Sequence, residues 1–167
     1  MLRFIAFAMA AGLSAAPMVA AAQAESVKLA LFAFELDDRS AGGGVIEPDA
    51  ADADQLRLAT EEAGRLLAAS GRYSIVETGS VAEELRAAGG VRHCRGCESA
   101  LARQLGAERS LAGILTRITR TEYTLQIVVR DSESGAILSN AFTGLRMGAN
   151  YSWPRGARWL VTNRILE

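Results

Sequence analysis

The sequence predicts a mixed α/β domain: a single mixed sheet of about five strands with helices packed on it, in the order β-α-β-α-α-β-β-β-α. Three features predict it. A bulky apolar run, a segment of helical period and a second short apolar run follow one another, the pattern of a parallel strand–helix–strand crossover. Tyr123, Leu125, Ile127 and Val129 alternate with polar residues, the mark of a half-buried strand. Apolar residues near the carboxyl end return to helical spacing.

Residues 27–35 (VKLALFAFE) read as a buried first strand. Residues 37–54 hold three consecutive glycines, a proline and five aspartates, and read as a surface loop. Asp52 or Asp54 is expected to cap the helix that follows, in which Leu56, Ala59, Ala63, Leu66 and Leu67 recur at helical spacing. Ser70-Gly71 ends it. Residues 73–77 form a short second strand. Ser80 with Glu83 three residues on fits a capping box for a short helix that stops at Gly89-Gly90. Residues 98–105 read as a third helix, closed by Gly106. Residues 110–119, 123–130 and 136–146 then form an antiparallel meander, with Gly135 in the left-handed position of the last hairpin. Ser152 is placed to cap a final helix with Pro154 in its first turn. Trp153, Ala157, Leu160, Val161 and Ile165 make its apolar stripe, while Arg155, Arg158 and Arg164 face elsewhere.

The first 24 of the 167 residues stand apart. Nineteen are apolar, Arg3 is the only charge, and Ala22-Gln23-Ala24 fits the small-x-small cleavage rule. Residues 1–24 read as a secretory signal peptide, leaving residues 25–167 as one exported, periplasmic domain. No Cys stands at the cleavage point, so no lipid anchor is expected, and no later run is long enough to cross a membrane. Without Arg3 the formal net charge moves from −1 to −2, and 16 Arg and one Lys are spread along the remainder. Nucleic acid, which needs a concentrated basic face, is therefore not an expected partner.

Cys94-Arg95-Gly96-Cys97 is the clearest chemical feature. In an exported protein a lone cysteine pair is expected to be oxidised, and a loop this short contributes about 2 kcal/mol by chain entropy. Two other readings stay open. The pair could act as a redox dithiol, since a thiolate at a helix amino terminus is stabilised by the helix dipole. His93, Cys94 and Cys97 could instead ligate a metal, although they need a fourth ligand from elsewhere. Glu98 in place of His after Cys97 excludes haem attachment. His93, the only histidine, reads as an exposed turn residue, since no nucleophile elbow accompanies it. Asp37, Asp38, Arg39 and Ser40 open the loop after the first strand, a place where ligands often sit. Glu47, Asp49, Asp52 and Asp54 fail the calcium-loop pattern, and Gly42-Gly43-Gly44 lacks the Lys-Ser/Thr of a phosphate loop. Arg146, Arg155 and Arg158 could pair anions but read more simply as a solvated face. No cofactor fingerprint and no acid/base pair at useful spacing is present, so neither a cofactor nor a catalytic residue is expected.

Several segments together resemble an uncharacterised family of bacterial periplasmic proteins: LALFAFELDDRS, HCRGCESALARQLGAE, the DSESG hairpin and YSWPRGARWLVTNRIL. Its members share a Cys-x-x-Cys followed by Leu-Ala and Leu-Gly-Ala, here Cys94, Cys97, Leu101-Ala102 and Leu105-Gly106-Ala107. They also share an Asn-x-Ser-Trp, here residues 150–153. Some are encoded beside quinoprotein alcohol dehydrogenases. The resemblance implies an accessory or binding protein, without catalytic residues of its own, whose partner is another periplasmic protein. The element order is also similar to small envelope domains such as the TolB amino-terminal domain and the curli secretion lipoprotein, a likeness of fold only.

Overall fold

The computed structural model describes residues 25–43, 50–146 and 153–167. Residues 1–24, expected to be a signal peptide, Gly44, Glu47 and Asp49 of the loop, and residues 150–152 with the expected cap Ser152 lie outside the described residues.

The chain forms one mixed sheet with helices packed on it, as the sequence predicts, but the described sheet has six strands and its helices lie on both faces. In chain order these are β1 (Val27–Leu31), β2 (Glu35–Asp38), β3 (Tyr73–Val76), β4 (Arg109–Arg117), β5 (Glu122–Asp131) and β6 (Ile137–Arg146). The helices are α1 (Ala50–Ala69), α2 (Ala82–Ala87), α3 (Cys97–Gln104) and α4 (Trp153–Leu160). A 3-10 turn at Gly79–Val81 precedes α2, and a π-helical turn at Val161–Ile165 continues α4. The spatial order is β3-β1-β4-β5-β6, with β2 beside β4 beyond the end of β1. Strands β1 to β4 run parallel to their neighbours among themselves, and β4-β5-β6 is an antiparallel meander.

The sixth strand arises because the expected first strand breaks. Leu31 pairs with Leu111, and Glu35 pairs with Ile114. Four steps along one strand therefore match three along the other, which is a bulge. An extra residue inverts the alternation. Ala30 and Phe32 pack on one side of the sheet, whereas Phe34 and Leu36 join Leu29 on the other. At the break the Phe34 amide donates to Thr60 Oγ1 of α1 at 2.9 Å instead of to a strand. Gly113 on β4 makes room for the Phe34 ring, which any Cβ there would strike. Asp37 and Asp38 consequently belong to β2, not to the surface loop, which starts at Arg39.

Two capping expectations fail. The chain is already helical at Ala50, so Asp52 lies in the first turn of α1 and Asp54 further inside it. Ser80 falls within the 3-10 turn, and α2 starts after Val81 with no side-chain cap, so the capping box does not form. The glycine punctuation holds: Gly71, Gly89, Gly90, Gly106 and Gly135 all take positive φ.

Helices α1 and α4 cover one face of the sheet. Ala59, Ala63 and Leu67 of α1 meet Leu29, Leu111 and Leu115, while Trp153, Ala157 and Leu160 of α4 pack toward Tyr123 and Leu145. On the other face the 3-10 turn through Val81, α2 through half-buried Leu85 and α3 through Leu101 and Ala102 pack against Ala30, Phe32 and Ala112. That second layer stops short. On the same face of β5 and β6, Gln126 and Val128 are half-buried and Asn140 and Phe142 are exposed, and Leu138 is exposed at a bulge in β6. No described helix is long and apolar enough to cross a membrane.

Candidate functional site: the cysteine turn, an arginine clamp and an open sheet edge

The cysteine turn is built from both sides. Gly89 and Gly90, in left-handed conformations, reverse the chain after α2. Glu35 on β2 receives it: its carboxylate accepts the Val91 amide at 2.9 Å and the Arg92 amide at 3.2 Å, and Arg92 returns a bond to the Leu36 carbonyl at 2.7 Å. A Cβ at Gly90 would enter that carboxylate. Arg95 is the only non-glycine at positive φ among the described residues (φ 53°), and Gly96 follows at φ 102°. Cys97 then opens α3. Cys94 and Cys97 stand at disulfide distance, their Cα atoms 5.3 Å apart.

Glu98 is only 4% exposed directly behind this turn. Its Oε1 accepts from Arg130 Nε of β5 at 2.9 Å, and Arg130 also donates to the Gly135 carbonyl at 3.1 Å. The other oxygen lies 3.6 Å from Cys94 Sγ. One ion pair thus ties the cysteine turn to the β5–β6 hairpin. A buried carboxylate beside Cys94 repels a thiolate there, which opposes redox use of that sulfur. Among the described residues, the groups close enough to share a metal ion are Cys94, Cys97 and Glu98, within 4.8 Å of one another. His93 is exposed and is not one of them. Sulfurs joined to each other offer no thiolate ligand.

The residues opening the loop surround a different feature. Arg117 at the end of β4 bonds Asp38 at 2.8 Å, Asp52 of α1 at 2.5 Å and the Tyr123 hydroxyl at 3.2 Å, and it lies over the Tyr123 ring. Burial alone would lower its pKa, but the bonds to Asp52, Tyr123 and Asp38 outweigh that and raise it. Hydrogen bonds from Ser40, with Arg117 beside it, hold the Asp38 carboxyl below its ordinary range despite burial. Arg39 pairs with its neighbour Asp37. A cavity of about 710 Å³ opens here at the carboxyl ends of parallel β2 and β4, lined by Ser40, Gly42, Thr119 and Arg120 as well as the clamp. Asp38, Asp52 and Arg117 are already engaged with one another, whereas Arg120, exposed on the same wall, is in none of these pairs. A second cavity, about 470 Å³, lies in the fork where β3 ends and β2 continues, with Phe32, Ala33, Ala82 and Leu85 on its walls.

Arg158 of the carboxy-terminal trio bonds Glu62 at 2.7 Å, and Arg155 is exposed beside it. Arg146 ends β6. Trp153 is buried and Trp159 is exposed, as the helical stripe requires.

Sequence reading found β6 as a strand but missed its exposure at the edge of the sheet. It is an edge strand of ten residues, and it exposes Ile137, Leu138 and Phe142, the last to 75%. Natural edges are guarded by short length, Pro, Lys, inward charge or a bulge. β6 is ten residues long with terminal Arg146 as its only charge, and it carries a bulge at Leu138, where Ser139 pairs with Val129 but Ile137 with Arg130.

A family model described as "Protein of unknown function (DUF2380)" matches residues 27–165, nearly the whole described domain. The chain belongs to this family. No curated protein matches it. Similar solved structures include the LpoB C-terminal domain from Salmonella enterica, at 20% identity and TM-score 0.48, covering 74% of this chain and 84% of that one. Lipoprotein GNA1162 from Neisseria meningitidis gives 17%, 0.48, 77% and 85%. The PelC dodecamer from Paraburkholderia phytofirmans gives 18%, 0.45, 83% and 85%. The likeness is therefore to domains of the LpoB kind and not to TolB specifically. Identities and scores this low carry no inference about sites or partners.

Proposed function

We propose that this chain is an exported, non-enzymatic accessory protein that acts by binding another protein of the periplasm, and that the open side of β5–β6 is its docking surface. One observation carries the reading: a ten-residue edge strand presents Phe142 to solvent on a sheet face that no described helix covers, with Leu138 exposed at the bulge near its start. Exposed apolar groups on an unpaired edge mark association sites. The Arg117 clamp and the Glu98–Arg130 pair fit the same reading, since their charges are spent on holding the fold. The finer proposal, service to a quinoprotein alcohol oxidation system, rests on the family resemblance alone.

The test is capture of partners from periplasm by the tagged chain. Phe142→Glu is expected to abolish capture while leaving the melting temperature within a degree or two, because an exposed side chain contributes little to the fold. Undiminished capture by the variant contradicts the docking surface.

The cysteine pair is proposed as a structural clip. Cys94→Ser with Cys97→Ser is expected to cost about 2 kcal/mol without unfolding the domain. Thermal melts of the two proteins check it, and complete loss of folding contradicts it. Cleavage after Ala24 is likewise proposed. The intact mass of the exported protein should correspond to a chain beginning at Glu25, and a product retaining Met1 contradicts it.

A further inference from the structure

We infer that the cavity of about 470 Å³ in the fork between β3 and β2 is a binding site for a small organic carboxylate. The ligand's apolar body rests against Phe32, Ala82 and Leu85, and its carboxylate meets Arg86 and Arg92. The site lies toward the β3 edge of the sheet, away from β6, and does not depend on the docking surface.

The topology makes the crevice. β1 and β3 are parallel neighbours. β3 ends at Val76, whereas the row of β1 continues as β2 beyond the bulge. The chain after β2 leads to α1, which packs on one face of the sheet. The chain after β3 leads to the 3-10 turn and α2, which pack on the other. Connections that leave to opposite faces keep a crevice open between the carboxyl ends of adjacent parallel strands, and open α/β sheets bind ligands at such points. A volume of this size suits a small molecule.

The polar groups on its walls set the charge of the ligand. Glu35 is the only carboxylate there among the described residues, and it is spent. Its Oε1 accepts from the Val91 amide at 2.9 Å, and its Oε2 accepts from the Arg92 amide and from Arg92 Nε, both at 3.2 Å. The Thr78 hydroxyl donates to the Leu31 carbonyl at 3.3 Å. The guanidiniums keep donors in reserve. Arg92 donates through Nε and through Nη1, the latter to the Leu36 carbonyl, and its Nη2 makes no hydrogen bond among the described residues. Arg86 bonds Glu83 through Nη1 alone. That pair is 68% and 87% exposed, and pairs so exposed hold weakly. The crevice therefore offers cationic donors and no free carboxylate, which favours an anion over a cation. A guanidinium's planar fork matches a carboxylate. The apolar wall beside the two arginines selects a carboxylate that carries a ring or a branched chain.

Titration of the exported chain with benzoate, followed by amide ¹⁵N shifts, tests this. The amides of Thr78, Ala82 and Gly90 should shift and saturate. Acetate has the charge without the body and should bind at least about tenfold more weakly, since a buried ring contributes that much. Benzylamine has the ring with the opposite charge and should leave these amides unmoved. Ala82→Phe fills the crevice from an exposed position on α2, so it should abolish the benzoate shifts while the melting temperature stays within a degree or two. Arg86→Gln should weaken benzoate at least about fivefold. The absence of saturable shifts with benzoate, phenylacetate and cyclohexanecarboxylate alike overturns the proposal. So does benzylamine binding as tightly as benzoate, because the arginines then select nothing. Acetate matching benzoate also overturns it, since the cavity then contributes nothing, as does undiminished benzoate binding by Ala82→Phe.

Discussion

Trp153→Ala is expected to lower stability by about 3–5 kcal/mol, a large part of what a domain of this size possesses. Trp153 opens α4 and is 3% exposed. Its ring stands 5.6 Å from the Tyr123 ring, tilted by 56°, and joins the main core with Leu145 and Ala157. Removing it opens a cavity between α4 and β5 that the rigid sheet cannot close. Its indole nitrogen has no hydrogen-bond partner among the described residues, where the side chain acts by volume and contact. Trp159 is 44% exposed and meets Arg164 through a cation–π contact. Trp159→Ala should cost well under about 1.5 kcal/mol. Denaturant titrations of the two variants compare them. Equal losses would contradict the placement of α4.

Glu98→Ala is the second large effect, expected at about 3 kcal/mol. Breaking a buried ion pair by removing one partner strands the other charge, here Arg130, whose side chain is four-fifths buried. The loss should exceed that of the Cys94→Ser, Cys97→Ser double variant, because Glu98 joins α3 to β5 whereas the cysteines close only their own turn. Replacing both members, Glu98→Leu with Arg130→Met, should recover much of the loss, since an apolar pair leaves no buried charge. A Glu98→Ala melt close to that of the native chain would contradict the account of the turn.

What the sequence revealed was local. Strand alternation in residues 123–129, the helical stripe of α4 and the glycine stops depend on neighbours a few residues apart, and they were legible. The cap at Asp52 or Asp54 and the capping box at Ser80 and Glu83 were also local motifs and were misread, because α1 is already helical at Ala50 and a 3-10 turn takes in Ser80 before α2 begins. The bulge at Phe32–Phe34 was hidden because both phenylalanines read as core either way. Only the matching of Leu31 and Glu35 to β4 shows that they face opposite sides. Glu98 looked like a first-turn helical acid, and its partner lies 32 residues away. The Asp38–Arg117–Asp52 clamp similarly joins three segments distant in sequence. Phe142 and Leu138 read as ordinary strand residues. Their exposure follows from where α2 and α3 stop, which no pattern within residues 137–146 encodes.

The most direct test of the proposed function is photo-cross-linking in the living cell, with a light-activated amino acid placed at Phe142, at Leu138, or at the exposed Arg57 of α1 as a reference. Docking through the open side of β5–β6 predicts protein adducts from positions 142 and 138 and none from position 57. Adducts from position 57 alone, or none from either strand position, would contradict it.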